Sequence, residues 1–193
     1  TFAATLRAIL RHDPDVVMVG EIRDLETAKV AFEFASTGRP VLSTVHTNSA
    51  AGAIQRLRDM GIEPYVLAAT LKAVIAQRLV RKLCAHCREP HLAAPDEKSM
   101  FRLPAAESFE FWRPVGCMAC GNSGYDGRLG VYELITIDAP LRELIRADSS
   151  EDAIQDLAFR DHDNLFLNAA RYVRDGLTSV EEVLRVCRRE EER

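Results

Sequence analysis

Two cysteine pairs, one carboxylate and one histidine carry the reactive chemistry of this sequence. Cys84 and Cys87 form one C-x-x-C pair, and Cys117 and Cys120 form a second after a gap of 29 residues. Each pair is a knuckle that offers two thiolates to one ion, and four thiolates close a tetrahedral zinc site. The gap exceeds the usual ribbon spacing of about 15–20 residues, so a longer inserted loop is expected between the knuckles. His86 and His91 are substitute ligands in principle, although solvated histidines are the plainer reading. A redox role for C-x-x-C competes with metal, but two pairs flanked by turn residues favour a structural ion. The fifth cysteine, Cys187, has no partner motif and reads as a packed thiol.

The carboxylate is Glu21. It follows an unbroken apolar run, residues 16–19, and Gly20. Such a run suits a strand buried on both faces of a parallel sheet. Glu21 then falls just past the strand's carboxyl end, the edge at which open α/β sheets bind ligands. A carboxylate there can orient a water or hold a metal beside a phosphate. The bland alternative is a buried strand that happens to end in an acid, with Arg23 and Asp24 paired on a solvated turn. A second strand, residues 41–45, ends at His46, where residues 43–48 gather hydroxyls, an imidazole and an amide. That group has the hydrogen-bonding capacity to sense a terminal phosphate. Alternatively, His46 packs on the neighbouring strand and bonds a backbone carbonyl. Arg7 and Arg11 stand four apart, share a helix face and could reach a phosphate. An exposed basic face is the competing reading for both, and for Arg128.

The elements that must position these groups follow from periodicity and punctuation. Residues 3–12 read as a helix, stopped near Pro14. Residues 25–37 form a second helix, with Gly38 past its end. Ser49 caps a third over 50–60, closed by Gly61. Pro64 opens a fourth that continues to about residue 83. This strand–helix–strand–helix order points to a doubly wound α/β unit. From Cys84 the chain turns rich in cysteine, proline and glycine. Residues 124–130 read as a turn leading into a strand at 131–135. Beyond it the pattern is helical, with starts at Asp138, at Ser149 or Ser150, and at a Ser179/Glu182 capping box. The charged tail, residues 188–193, is expected to fray.

With 193 residues and 47% apolar content, the chain has the means for one large or two small packed domains. A net charge of −4 argues against a nonspecific nucleic-acid binder. No apolar run approaches membrane-spanning length, and no signal peptide is apparent. No G-x-x-x-x-G-K-[ST] phosphate loop occurs in these residues. The sequence opens inside a helical pattern and reads as a piece of a longer protein.

Several segments together resemble one family. Residues 6–24 resemble the Walker B region of secretion ATPases, and residues 43–48 their histidine box. Residues 76–84 resemble the run into a tetracysteine element, and residues 124–133 the segment that follows it. In order and extent these match the type II secretion and type IV pilus assembly ATPases, the GspE/PilB group, over nearly the whole chain. The resemblance implies an α/β fold: the C-terminal part of a RecA-like P-loop NTPase core without its phosphate loop over residues 1–83, a zinc-binding element over 84–135, and a small helical subdomain over 136–193. It implies ATP, Mg2+ and Zn2+ as cofactors. Glu21 matches the Walker B glutamate and His46 the histidine-box residue, the catalytic pair. Cys84, Cys87, Cys117 and Cys120 match the zinc ligands. Arg7, Arg11 and Arg128 match arginines that face nucleotide or a neighbouring subunit. A homo-oligomer, usually a hexamer, is implied, working with a platform protein at the cytoplasmic face of the bacterial inner membrane and with no nucleic acid. Ala85, Phe32, Phe34 and the Arg39–Pro40 pair depart from the family's pattern. Two other readings stay open: a non-catalytic zinc-bearing interaction module, and a RecA-like nucleic-acid motor.

Overall fold

The structure, a computed structural model, describes residues 2–187, so the charged tail lies outside the described residues. The chain divides into two units, one formed by residues up to Ile75 with Leu134–His162, the other by Ala76–Glu133 with the chain from Asp163 onward.

In the first unit, α1 (Phe2–Leu10) precedes β1 (Val17–Val19), α2 (Leu25–Ser36), β2 (Val41–Ser43), α3 (Ala50–Asp59) and α4 (Pro64–Thr70). β1 and β2 pair in parallel, with Val17 opposite Val41 and Val19 opposite Ser43. Parallel neighbours need a crossover, and α2 supplies it. Asp24 caps α2 by accepting from the Thr27 amide at 2.8 Å. Its carboxylate is therefore committed to the helix rather than to Arg23. Gly38, at φ +89°, turns the chain toward β2 in a region that β-carbons disfavour. Phe32 and Phe34 are core residues, and the Arg39 guanidinium lies 5.6 Å from the Phe34 ring centre while pairing with Asp13. Two of the departures from the family pattern, Phe34 and Arg39, thus pack on each other. Two helices from later in the chain complete this unit, α6 (Ala139–Arg146) and α7 (Glu151–Ala158). Asp138 and Ser150 cap them, α6 packs on α4, and α7 packs on α3.

Three expectations need correction. The apolar run at 16–19 is not buried on both faces. Val17 and Val19 are buried, whereas Met18 is 73% exposed and Val16 and Leu42 are also exposed. Side chains alternate along a strand, and among the described residues only one other strand pairs with this one. The helix opened by Pro64 ends at Thr70, and Ala73–Leu83 is a strand, β3. Leu71 has extended backbone, φ −64° and ψ 129°, which releases the chain from the helix. Ala, Gln, Arg and Leu favour helix locally, but pairing with a strand far along the chain overrides that preference. That partner, β6 (Tyr125–Thr136), is longer than expected and absorbs most of the presumed glycine turn.

In the second unit, the insertion between the knuckles is folded. β4 (Glu89–Leu92) and β5 (Glu110–Arg113) pair antiparallel, with α5 (Pro95–Met100) between them. Phe111 is fully buried and meets Phe101 edge-on at 5.9 Å. α8 (Leu165–Arg174) and α9 (Val180–Cys187) close the core through Leu165, Ala169, Val173, Val180 and Val183. Cys187 packs beside this cluster, and burial pushes its thiol up to about 12.

Glu182 on α9 is fully buried. Only half of the expected capping box forms. The Ser179 hydroxyl accepts from the Glu182 amide at 3.2 Å, but the Glu182 carboxylate turns to β3. It accepts from the Arg81 amide at 2.9 Å, from Arg81 Nη2 at 2.7 Å and from Arg185 Nη2 at 2.7 Å. Burial alone would raise this acid, but hydrogen bonds from Arg185 and Arg81 outweigh that and hold it down at about 2. Arg81 also lies 4.0 Å over the Tyr125 ring. The folded value lies below the ordinary 4.5, so the stabilisation is complete above about pH 4.5 and fades as pH falls toward 2. Both arginines are about half exposed, which discounts its size. Glu182→Gln should therefore cost about 1–3 kcal/mol at neutral pH. Chemical denaturation at a series of pH values should show the gap to the native chain closing between pH 4.5 and 2.

Candidate functional site

Glu21 and His46 meet because β1 and β2 continue to bond past their ends. The Ile22 amide donates to the Thr44 carbonyl at 3.0 Å, and the Thr44 hydroxyl donates to the Gly20 carbonyl at 2.7 Å. These bonds fasten the loop bearing Glu21 to the loop bearing His46. His46 Nε2 then lies 2.9 Å from Glu21 Oε1, and Arg23 Nε donates to Glu21 Oε2 at 2.6 Å. Both carboxylate oxygens are occupied, one by an imidazole and one by a guanidinium. The Glu21 carboxylate is mostly buried at 18% exposure, while His46 and Arg23 stand at 87% and 76%.

A shallow cleft of about 260 Å³ opens here, lined by Glu21, Ile22, Arg23, His46, Arg56 and Met60. The reading of His46 as a packed histidine bonded to a backbone carbonyl is therefore replaced by an exposed imidazole bonded to a carboxylate. The neighbouring hydroxyls are spent internally, Thr44 on Gly20 and Thr47 on the Ser49 carbonyl at 3.1 Å. Arg56 was missed from sequence. It projects from α3, is exposed and, among the described residues, has no ion-pair partner for its guanidinium. The signal for it was its place on the helix that Ser49 starts just after His46. One carboxylate, one imidazole and two cations around a cleft suit an anionic ligand whose reacting atom needs a proton acceptor.

The other arginines singled out from sequence do not line this cleft. Arg7 lies on α1 and pairs with Glu26 at 3.0 Å. Arg11 falls in the turn after α1, past its last helical residue. Arg128 is an exposed residue of β6, in the second unit.

The four paired cysteines converge. Their sulfurs all lie within 4.8 Å of one another, with Cys84–Cys117 at 3.9 Å and Cys87–Cys120 and Cys117–Cys120 at 3.8 Å. A tetrahedral ion with metal–sulfur bonds of about 2.3 Å requires sulfur–sulfur edges of about 3.8 Å, so the set fits. All four are free thiols, which a metal needs. His86 is exposed, and His91 turns to Glu97 at 3.4 Å and to the Phe111 edge, so neither joins the set. Backbone amides support the sulfurs. Gly116 N donates to Cys87 Sγ, and Cys117 N and Gly124 N donate to Cys120 Sγ, each at 3.3 Å. Burial opposes ionisation of Cys120, but the Cys117 and Gly124 donors prevail and bring its thiol down to about 6. Gly124 sits at φ +75°, and a β-carbon there would come within 2.5 Å of Pro114 Cβ. Only glycine brings its amide this close to the sulfur.

A sequence model of the type II/IV secretion system protein family matches residues 1–185. The chain belongs to this family. It is 53% identical over 189 residues to the type II secretion system protein E of Aeromonas hydrophila, covering 97% of this chain and 38% of that protein. It is 48% identical over 188 residues to the type II secretion system ATPase E of Vibrio cholerae, covering 97% of this chain and 37% of that protein. The chain thus spans less than two-fifths of the curated relatives it matches. Among solved structures, the pilus retraction motor PilT with bound ADP is similar at a TM-score of 0.68 and 28% identity, covering all of this chain and 45% of PilT. The Legionella pneumophila ATPase DotB shares the fold at a TM-score of 0.65, covering 95% of this chain and 41% of DotB. The α/β architecture read from the sequence is that of these two solved structures.

The thiol geometry sets an expected outcome. Elemental analysis of protein purified without chelator should find about one tightly bound divalent metal per chain. Gly124→Ala should weaken that affinity by about 10–100-fold, measured by competition with a chromophoric chelator.

Proposed function

We propose that this chain is the Walker B, histidine-box and metal-binding portion of an ATPase that drives assembly of pilin-like subunits in type II secretion or type IV pilus biogenesis. The observation that carries the reading is the 2.9 Å contact between Glu21 and His46 at adjoining strand ends, in a cleft with two arginines. The relative named as an ATPase and the motor that holds ADP support it.

Glu21 is the base that takes a proton from the attacking water. To do so it must free one oxygen. Arg23 is the donor to leave, since an exposed ion pair is worth only about 0–1 kcal/mol and a phosphate offers it a better partner. Arg56 faces the same phosphate from α3. His46 keeps its bond to Glu21 Oε1, so any shift of the imidazole toward the terminal phosphate also moves the base. His46 thereby couples nucleotide state to conformation. Zinc suits the four thiolates and would fix the knuckles, acting on structure rather than on hydrolysis. Among the described residues the cysteine set is the only His/Cys/Asp/Glu cluster with metal-ligand spacing. These residues therefore build no magnesium cage, and magnesium would arrive with the nucleotide phosphates.

In this reading the full-length protein forms a ring, usually hexameric, and acts on a platform protein at the cytoplasmic face of the bacterial inner membrane. No described helix is long and apolar enough to cross that membrane. The division read from the sequence is a core over residues 1–83, a metal element over 84–135 and a helical subdomain over 136–193. Arg7, Arg11 and Arg128 would meet nucleotide or a neighbouring subunit.

The test is Glu21→Gln in the full-length protein. ATP turnover should fall by about 10²–10⁴-fold while nucleotide binding stays within a few-fold, as measured by a coupled assay and a fluorescent ATP analogue. Turnover near the native rate would remove Glu21 as the base. This chain alone, without a phosphate loop, should show negligible hydrolysis in the same assay.

A further inference from the structure

His46 sits in the loop between β2 and α3, and the bonds from β1 fix only the near side of that loop. The far side is fixed from a distant part of the chain. The Ser49 hydroxyl accepts from the Gly52 amide at 2.9 Å, as a helix cap does, and donates to Glu151 Oε1 at 2.9 Å. One hydroxyl thereby joins the first turn of α3 to a residue 102 positions away. The Glu151 carboxylate also lies over that turn, because a β-carbon on Gly52 would stand 3.3 Å from its Oε1. The first turn of a helix has unpaired amides and the positive end of the dipole, so a carboxylate there is favoured. The opposite end of α3 is held separately. The buried Arg58 side chain, 7% exposed, donates through Nη1 to Asp148 Oδ1 and to the Ser149 carbonyl, both at 2.7 Å.

We infer that Glu151 is a positioning residue for His46: through Ser49 it anchors the start of α3 and so sets the loop that brings the imidazole to Glu21. The turn between α6 and α7, together with the first residue of α7, grips α3 at both ends, and only the Glu151 grip lies on the end that bears His46. A hydrolytic site tolerates little displacement, since an error of about 1 Å in a reacting group costs up to about 10²-fold in rate. The inference rests on the proposed function for its consequence, but the anchor itself is a property of this chain.

Two measurements on the full-length protein test it. In Glu151→Ala, amide hydrogen exchange over residues 44–52 should accelerate by about tenfold or more, while α4 and α6 keep their protection. In the same variant kcat should fall about tenfold with KM within about twofold, because ground-state binding is left intact. Glu151→Gln, which keeps an acceptor for Ser49, should recover most of the turnover. Asp148→Asn, at the other end of α3, should leave exchange over 44–52 and turnover within about twofold of native. Unchanged exchange over 44–52 in Glu151→Ala would overturn the anchor. Faster exchange there with native kcat would overturn its role in positioning His46. A native full-length protein without ATP turnover would instead defeat the proposed function, and the exchange result would still report on the anchor.

Discussion

The site depends on the parallel pairing of two very short strands. β1 and β2 share three aligned residue pairs, and the bonding then continues through Ile22, Thr44 and Gly20. Each hydrogen bond is worth about 0.5–1.5 kcal/mol net, so the pair is held by cooperation rather than by any one contact. Its consequence is geometric. Strands that run in parallel end on the same edge, and whatever follows each strand must share that edge. Glu21 and His46 are 25 positions apart in sequence and are brought to one edge by that constraint, where they stand 2.9 Å apart.

Two glutamates, each bonded to two cationic or potentially cationic groups, differ in how far burial fixes their partners. Glu182 is fully buried, its two arginines reach it from β3 and from its own helix, and the backbone amide of Arg81 adds a third donor. Losing either arginine would leave a buried carboxylate with fewer donors, so the arrangement is structural. Glu21 is shielded, but its partners His46 and Arg23 are largely in solvent. Arg23 can exchange its bond for a ligand at small cost. The first arrangement locks α9 to β3, and the second is one that a ligand can alter.

The metal element is framed by the same strand. β3 ends at Leu83, directly before Cys84. Leu83 N donates to the Leu177 carbonyl at 2.8 Å, and Cys84 N donates to the Gly124 carbonyl at 3.0 Å. The Thr178 hydroxyl donates to the Arg81 carbonyl at 2.7 Å, and the Tyr125 and Ser179 hydroxyls bond at 2.8 Å. The first knuckle is thus hung on a hydrogen-bonded corner made by β3, β6 and the turn before α9.

The sequence by itself determined the local features. Apolar runs, caps and glycine stops were legible at Gly38, Ser49, Asp138 and Ser150, because each acts within a few residues of itself. The C-x-x-C pairs were legible because metal geometry imposes their spacing. The tertiary structure alone decided what depends on distant partners. Residues 73–83 have helix-favouring composition and became a strand only because β6 pairs with them. Glu182 looked like a helix cap and became the anchor of β3, since a buried carboxylate goes to the strongest donors in reach. Arg23 looked like the partner of Asp24, but Asp24 is spent on Thr27 and Arg23 serves Glu21. Local pattern specifies which bonds a residue is able to make, and only the fold settles which partner it meets.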